Sequence, residues 1–179
     1  MNKIIVIRYG HRSVRDFRIT THIGLIARAL GAAGMILTEP DQSVKESIER
    51  INDRWGSKFF VEIDEHWRKR IAKIKQDGDT LVHLTMYGLR LDKDVSDRIK
   101  ALKKDIYVFV GSQKVPSEIY HLADYNISIS NQPQSECGAL AIFLDRIFEG
   151  ETLYQEFPDA KYRIIPDPSG KNVEVRDKD

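Results

Sequence analysis

Apolar residues recur along the chain with two alternating periods. Lys3-Ile-Ile-Val-Ile-Arg8 is a β-branched run that stops at Gly10 and predicts a buried strand. Beyond a basic loop, Ile19, Ile23, Ile26 and Leu30 fall at i, i+4, i+7 and i+11, the stripe of an amphipathic helix closed by Gly31. Gly34–Leu37 predicts a second strand. Ser43, with Glu46 three residues on, reads as a capping box that opens a helix with the stripe Val44, Ile48, Ile51 and Trp55. Phe59–Ile63 is strand-like, and Trp67, Ile71 and Ile74 mark another helix. Thr80–Leu84 predicts a strand leading into a loop at Thr85–Gly88, and Val95, Ile99 and Leu102 a helix. Ile106–Val110 is a strand that runs into Gly111. A short helix at Pro116–His121 and a strand at Tyr125–Ile129 follow. Ser135 caps a long helix striped by Leu140, Phe143, Leu144 and Ile147. Tyr162–Ile165 is a last strand, and the polar tail from Pro166 is expected to be flexible from residue 168.

Buried strands alternating with helices predict an α/β fold with a mainly parallel sheet flanked by helices, in one domain spanning 1–179. Ligands of such sheets sit beyond the carboxyl ends of the strands. The loops at Thr85–Gly88, Gly111–Val115 and Asn131–Gln134 are therefore the first candidates for a site.

Composition narrows the class. No run approaches the ~18 apolar residues of a membrane span, and the single cysteine, Cys137, excludes an internal disulfide or a multi-cysteine zinc site. A soluble, cytoplasmic protein is expected. Its net charge of +1 hides an asymmetry: six cations against Asp16 give Met1–Arg28 +5, leaving −4 for the other 151 residues. The chain has no G-x-G-x-x-G, no G-x-x-x-x-G-K-[ST], no G-x-S-x-G and no H-E-x-x-H, and no spacing asks for a metal.

The positive charge lies in Arg8-Tyr-Gly-His-Arg-Ser-Val-Arg-Asp-Phe-Arg18, which uses arginine and no lysine. Arginine binds phosphate in bidentate fashion and stacks on bases. The segment reads either as an RNA contact or as a solvated loop with Arg15 paired to Asp16. In the next helix Thr21, Gly24 and Arg28 share a face; Gly24 either leaves room beside the Arg28 stem or lets two helices pack. Gly111 permits a close backbone approach. Ser130-Asn-Gln-Pro-Gln-Ser-Glu136 is rich in groups that can read a small ligand, or is simply a turn and a helix cap.

Together these segments carry a resemblance. Arg8–His22 running on to Ala27-Arg-Ala-Leu-Gly31, His83-Leu-Thr-Met-Tyr-Gly88, Gly111-Ser-Gln-Lys-Val-Pro116 and Asn131-Gln-Pro-Gln-Ser-Glu136 before Ala139-Leu140 resemble, in order, the archaeal tRNA (cytidine-56) 2′-O-methyltransferases of the SPOUT class. The resemblance implies a C-terminal deep trefoil knot and a homodimer acting on tRNA. It implies S-adenosylmethionine held by Leu84, by Gly111, Ser112, Gln113, Lys114 and Val115, and by Ile129, Ser130, Asn131, Gln132, Pro133, Gln134, Ser135 and Glu136. Wider 2′-O-methylating relatives carry an Asn and an essential Arg six residues apart, where this chain has His22 and Arg28; Pro133 stands where they have another Asn, and Ser135 matches their Ser.

On that basis Arg28 is expected to anchor the reacting nucleotide and stabilise charge at its oxygen. His22 or His11 is the candidate base, with phosphate or water as alternatives. Arg8, His11, Arg12, Arg15 and Arg18 are expected to meet RNA. Alternative readings are a knotted methyltransferase for another tRNA or rRNA site, a non-catalytic RNA-binding protein, or a doubly wound nucleotide-binding regulatory domain.

Overall fold

The computed structural model describes residues 2–10 and 17–176. Six parallel strands form one sheet in the order β3-β2-β1-β5-β4-β6: β1 (Ile4–Tyr9), β2 (Gly34–Leu37), β3 (Phe60–Ile63), β4 (Thr80–Arg90), β5 (Ile106–Gly111) and β6 (Tyr125–Ser128). Helices α1 (Phe17–Ala29), α2 (Gln42–Trp55), α3 (Trp67–Gln76), α4 (Lys93–Lys100), α5 (Ser117–Leu122) and α6 (Glu136–Phe148) connect and flank it. The expected α/β architecture with a mainly parallel sheet is borne out.

The side-chain period of two along each strand divides the core between the two faces. Ile4 and Val6 of β1 join Ile23, Ala27, Val44, Ile48, Ile99, Leu140 and Phe143 beneath α1, α2, α4 and α6. Ile5 and Ile7 join Trp67, Ile71, Ile74, Phe109 and Ile119 beneath α3 and α5. Gly24 proves to be a packing device, because a Cβ there would meet Ile48 Cδ1 and Met35 Cε of the neighbouring elements.

Several local expectations are corrected. The cap of α2 is Asp41 rather than Ser43: its Oδ1 accepts from the amides of Ser43 and Val44 at 3.0 and 3.1 Å, a carboxylate being well suited to the positive helix end. Ser135 does cap α6, accepting from Cys137 N at 3.2 Å. The tail contributes a strand of its own, β7 (Tyr162–Ile165) pairing antiparallel with β8 (Asn172–Val175).

The largest correction concerns Thr85–Gly88, which belongs to β4 rather than to a free loop. Ile127 of β6 stands opposite Leu84 and again opposite Leu89, and Arg90 opposite Ser128. The β4 segment therefore meets β6 twice, with residues 85–88 arching between the two contacts. Where the arch returns to β6, a Cβ on Gly88 would collide with the backbone of Asn126 and Ile127, so the close approach requires glycine.

Candidate active site

The carboxyl ends of β4, β5 and β6 and the start of α6 enclose a cavity of about 260 Å³. β4 supplies Leu84, Thr85 and Met86, and β5 supplies Val110 and Gly111. β6 and its following loop supply Ile127, Ile129, Ser130, Pro133 and Gln134, and α6 supplies Glu136 and Ala139. The walls combine apolar side chains with an almost equal share of polar surface, so the site can hold both the apolar and the polar parts of a small molecule. At Gly111 a Cβ would lie 2.5 Å from Val115 Cγ2, so glycine keeps this wall open.

Of the residues expected to hold a cofactor, Leu84, Gly111, Ile129, Ser130, Pro133, Gln134 and Glu136 line this cavity. The others shape it or stand outside. Ser112 N donates to Tyr9 O at 2.8 Å and ties β5 to β1. Gln113, Lys114 and Gln132 are exposed. Val115 packs into the core under α5. Ser135 is occupied by its capping bond. Asn131 acts as a clamp: its Nδ2 donates to the carbonyls of Met86 and Gly88 at 2.9 and 3.0 Å, and its Oδ1 accepts from Arg90 Nε at 3.0 Å.

Thr85, Met86, Val110, Ile127 and Ala139 also line the cavity, although none is among the individual residues expected to hold a cofactor. Thr85 and Met86 stand in the segment named as a ligand loop. Ala139 lies one helical turn after Glu136, where a small side chain keeps the mouth clear.

The basic residues separate sharply. His11, Arg12 and Arg15 lie outside the described residues. Arg18 and His22 are exposed one turn apart on α1. Arg8 does not face outward for RNA: its side chain is 0% exposed, with Nη2 donating to Glu136 Oε1 at 3.0 Å and Nε to Thr20 Oγ1 at 3.4 Å.

Arg28 lies away from the cavity of its own chain. Helix α1 runs from the carboxyl end of β1 back toward the start of β2, and Arg28 sits in its last turn. Ten residues of helix, roughly 15 Å, separate it from Arg18. Its Nε donates to Asn52 Oδ1 at 2.8 Å, Nη2 donates to Gly56 O, and the guanidinium lies 4.8 Å over the Phe157 ring. Burial draws its pKa below the ordinary guanidinium value. Within the chain, Arg28 thus binds α2 and the C-terminal segment at the end of the sheet opposite the cavity.

Outside the cavity lining, His83 of β4 is buried; its Nδ1 shares a hydrogen bond with Asn126 Oδ1 at 2.9 Å, and its ring meets Tyr120 edge-on. Among the described residues no cluster of three His, Cys, Asp or Glu side chains is placed to hold a metal, and no helix is long and apolar enough to cross a membrane.

Comparison with known proteins gives a consistent result. Residues 55–174 match the family described as tRNA ribose 2′-O-methyltransferase, aTrm56. The chain is 50% identical to the tRNA (cytidine(56)-2′-O)-methyltransferase of Methanocaldococcus jannaschii over 97% of its own length and 96% of the relative's. It is 51% identical to the enzyme of that name from Staphylothermus marinus, covering 96% and 92%. Among solved structures it is similar in fold to a TrmH/SpoU tRNA modifying enzyme from A. aeolicus, with TM-score 0.60 and 16% identity over 88% of this chain and 81% of the other. It also resembles the SpoU methyltransferase AviRb from Streptomyces viridochromogenes in complex with AdoMet, with TM-score 0.56 and 16% identity, covering 84% of this chain and 58% of that one.

Proposed function

The chain belongs to the tRNA ribose 2′-O-methyltransferase family, and from that premise we propose that it methylates the ribose 2′-oxygen of cytidine 56 in tRNA with S-adenosylmethionine as donor. The observation that carries the reading is 50% identity over 97% of the chain with an enzyme named for that reaction. The cavity fits the donor: apolar walls at Leu84, Val110, Ile127 and Ile129 suit an adenosine, and Ser130, Gln134 and Glu136 offer polar contacts. When bound, S-adenosylmethionine supplies an electrophilic methyl group.

The chain's own residues then have to bind, align and deprotonate. Seven of the expected residues, Leu84, Gly111, Ile129, Ser130, Pro133, Gln134 and Glu136, are proposed to hold the donor. Arg18 and His22 on α1, with His11, Arg12 and Arg15, are proposed to receive tRNA phosphates. His22 or His11 is the proposed proton acceptor, an imidazole being the side chain suited to that task near neutral pH. Alignment of the 2′-oxygen with the methyl group supplies several kcal/mol of the rate enhancement.

The C-terminal knot belongs to the same reading, supported by the double contact of the β4 segment with β6. So does a homodimer, supported by the exposure of Leu153 and Tyr154, 69% and 83%, surface that a second copy would cover, and so does a cytoplasmic location beside its tRNA substrate. The test is incubation with unmodified tRNA and methyl-labelled S-adenosylmethionine, followed by mapping of the label. Label at cytidine 56, abolished when that position is 2′-deoxy, is the expected result. Label at another nucleotide overturns the site assignment, and none overturns the activity.

A further inference from the structure

We infer that Arg8 and Glu136 form a charge pair, buried at the guanidinium and open to the cavity at the carboxylate, whose carboxylate end receives a cationic centre of the donor, so that the pocket distinguishes S-adenosylmethionine from ligands lacking that cation. The inference rests on the proposed donor site. Arg8 lies near the carboxyl end of β1, the central strand, opposite Leu37 on one side and Val110 on the other. Its guanidinium is wholly enclosed, and its Nη1 has no hydrogen-bond partner among the described residues. A buried cation with an idle donor nitrogen is costly. An apolar side chain would fill the same space between α1 and the sheet at less cost, so the fold alone gives no reason for arginine.

What Arg8 does reach is Glu136, the first residue of α6, whose side chain is 29% exposed and lines the cavity. Nη2 engages Oε1 only, and Oε2 has no hydrogen-bond partner among the described residues. Among the described residues that line the cavity, Glu136 is the one charged side chain. A carboxylate beside walls of Leu84, Val110 and Ile127 acts in a poorly screening medium, where its attraction for a cation is stronger than in water. Arg8 acts through Glu136 as a positioning residue: it fixes one oxygen and leaves the other to the ligand.

S-adenosylmethionine carries two cations, the sulfonium and the α-ammonium. S-adenosylhomocysteine keeps the ammonium, but its sulfur is a neutral thioether once the methyl has left with the electron pair remaining on sulfur. 5′-Methylthioadenosine has neither cation. These three ligands separate the sources of charge.

The experiment measures their dissociation constants by calorimetry on the full chain, wild type and Glu136→Gln, with thermal melting to confirm folding. Glu136→Gln is isosteric and retains an acceptor for Arg8. It is expected to weaken S-adenosylmethionine by about tenfold, as for loss of one charged contact, with 5′-methylthioadenosine unchanged. A loss confined to S-adenosylmethionine assigns the sulfonium, and an equal loss for S-adenosylhomocysteine assigns the ammonium. Arg8→Gln should reproduce the same selectivity change without adding to it in the double variant, an outcome that a merely structural role would not give. An equal loss for all three ligands, or no loss, in folded Glu136→Gln overturns the inference. Failure of the wild type to bind any of the three overturns the donor-site reading beneath it.

Discussion

The carboxamide of Asn131 donates to the carbonyl of Gly88 at 3.0 Å. With the bonds to Met86 and Arg90, this contact locks the arch of the β4 segment to the loop that follows β6, and these are two of the walls of the proposed donor site. Replacing Asn131 by Ala removes the lock and leaves exposed carbonyls that water can satisfy. Stability should change little, while S-adenosylmethionine affinity should fall by roughly tenfold because the walls must then be ordered on binding. Calorimetry beside a melting curve separates the two. Asn131→Asp, which sets a carboxylate against two carbonyls, should be worse than Ala.

Gly111 offers a steric test. Gly111→Ala places a methyl group against Val115 Cγ2, and the displaced side chains narrow the cavity. Donor affinity should fall several-fold, and Val115→Ala in the same chain should restore part of it. Additive losses in that double-mutant cycle would show that the two sites act separately.

Arg28→Ala should act first on stability. It strands the Asn52 carboxamide oxygen and the Gly56 carbonyl and removes the cation over Phe157, at a cost of about 2 kcal/mol. For a domain of this size each kcal/mol is roughly 2–4 °C in melting temperature, so the transition should drop by several degrees, with activity following the folded fraction. A variant with an unchanged melt but no turnover would show instead that Arg28 works at a site beyond its own chain.

His83 sets a pH signature. Burial holds its imidazole below the ordinary value, against a smaller upward pull from the Asn126 hydrogen bond. The unfolded chain therefore binds the proton more readily, its imidazole titrating near pH ~6.5, and by linkage stability rises with pH across that window. The contribution is complete above the unfolded value and is lost as pH falls below it toward the folded one. Melting curves between pH 7.5 and 5.5 should show a decline that His83→Gln flattens. An identical decline in the variant would assign it to other groups.

Much of the fold was legible because strand and helix periods alternate without interruption from Ile4 to Ile147. The arch was not. Thr85–Gly88 has loop composition, and its return to β6 is a long-range pairing with no local signature. Arg8 was misjudged for a different reason: it was grouped by type with neighbouring arginines, although its position already held the answer. Arg8 shares strand parity with Ile4 and Val6 and so points into a helix-covered face. Arg28, expected from the resemblance at the reacting nucleotide, closes a helix that runs antiparallel to the strands, which carries it to the end of the sheet away from this chain's own cavity. The cavity loops were found because parallel sheets bind ligands beyond their carboxyl ends, whereas the division of that stretch into lining residues and clamps depends on side-chain directions that appear only once the loops are folded.

The double contact of β4 with β6 has a kinetic consequence. A strand held at two separate stretches of its neighbour peels away from the sheet edge less readily than an ordinary terminal strand does. The floor of the cavity should therefore be among the last regions to open, with the amides of Ile127 and Ser128 exchanging slowly with solvent although β6 ends the strand order. The same grip requires distant parts of the chain to meet before either is secure, so the molecule should fold slowly and, once formed, resist unfolding for longer than its equilibrium stability alone would suggest.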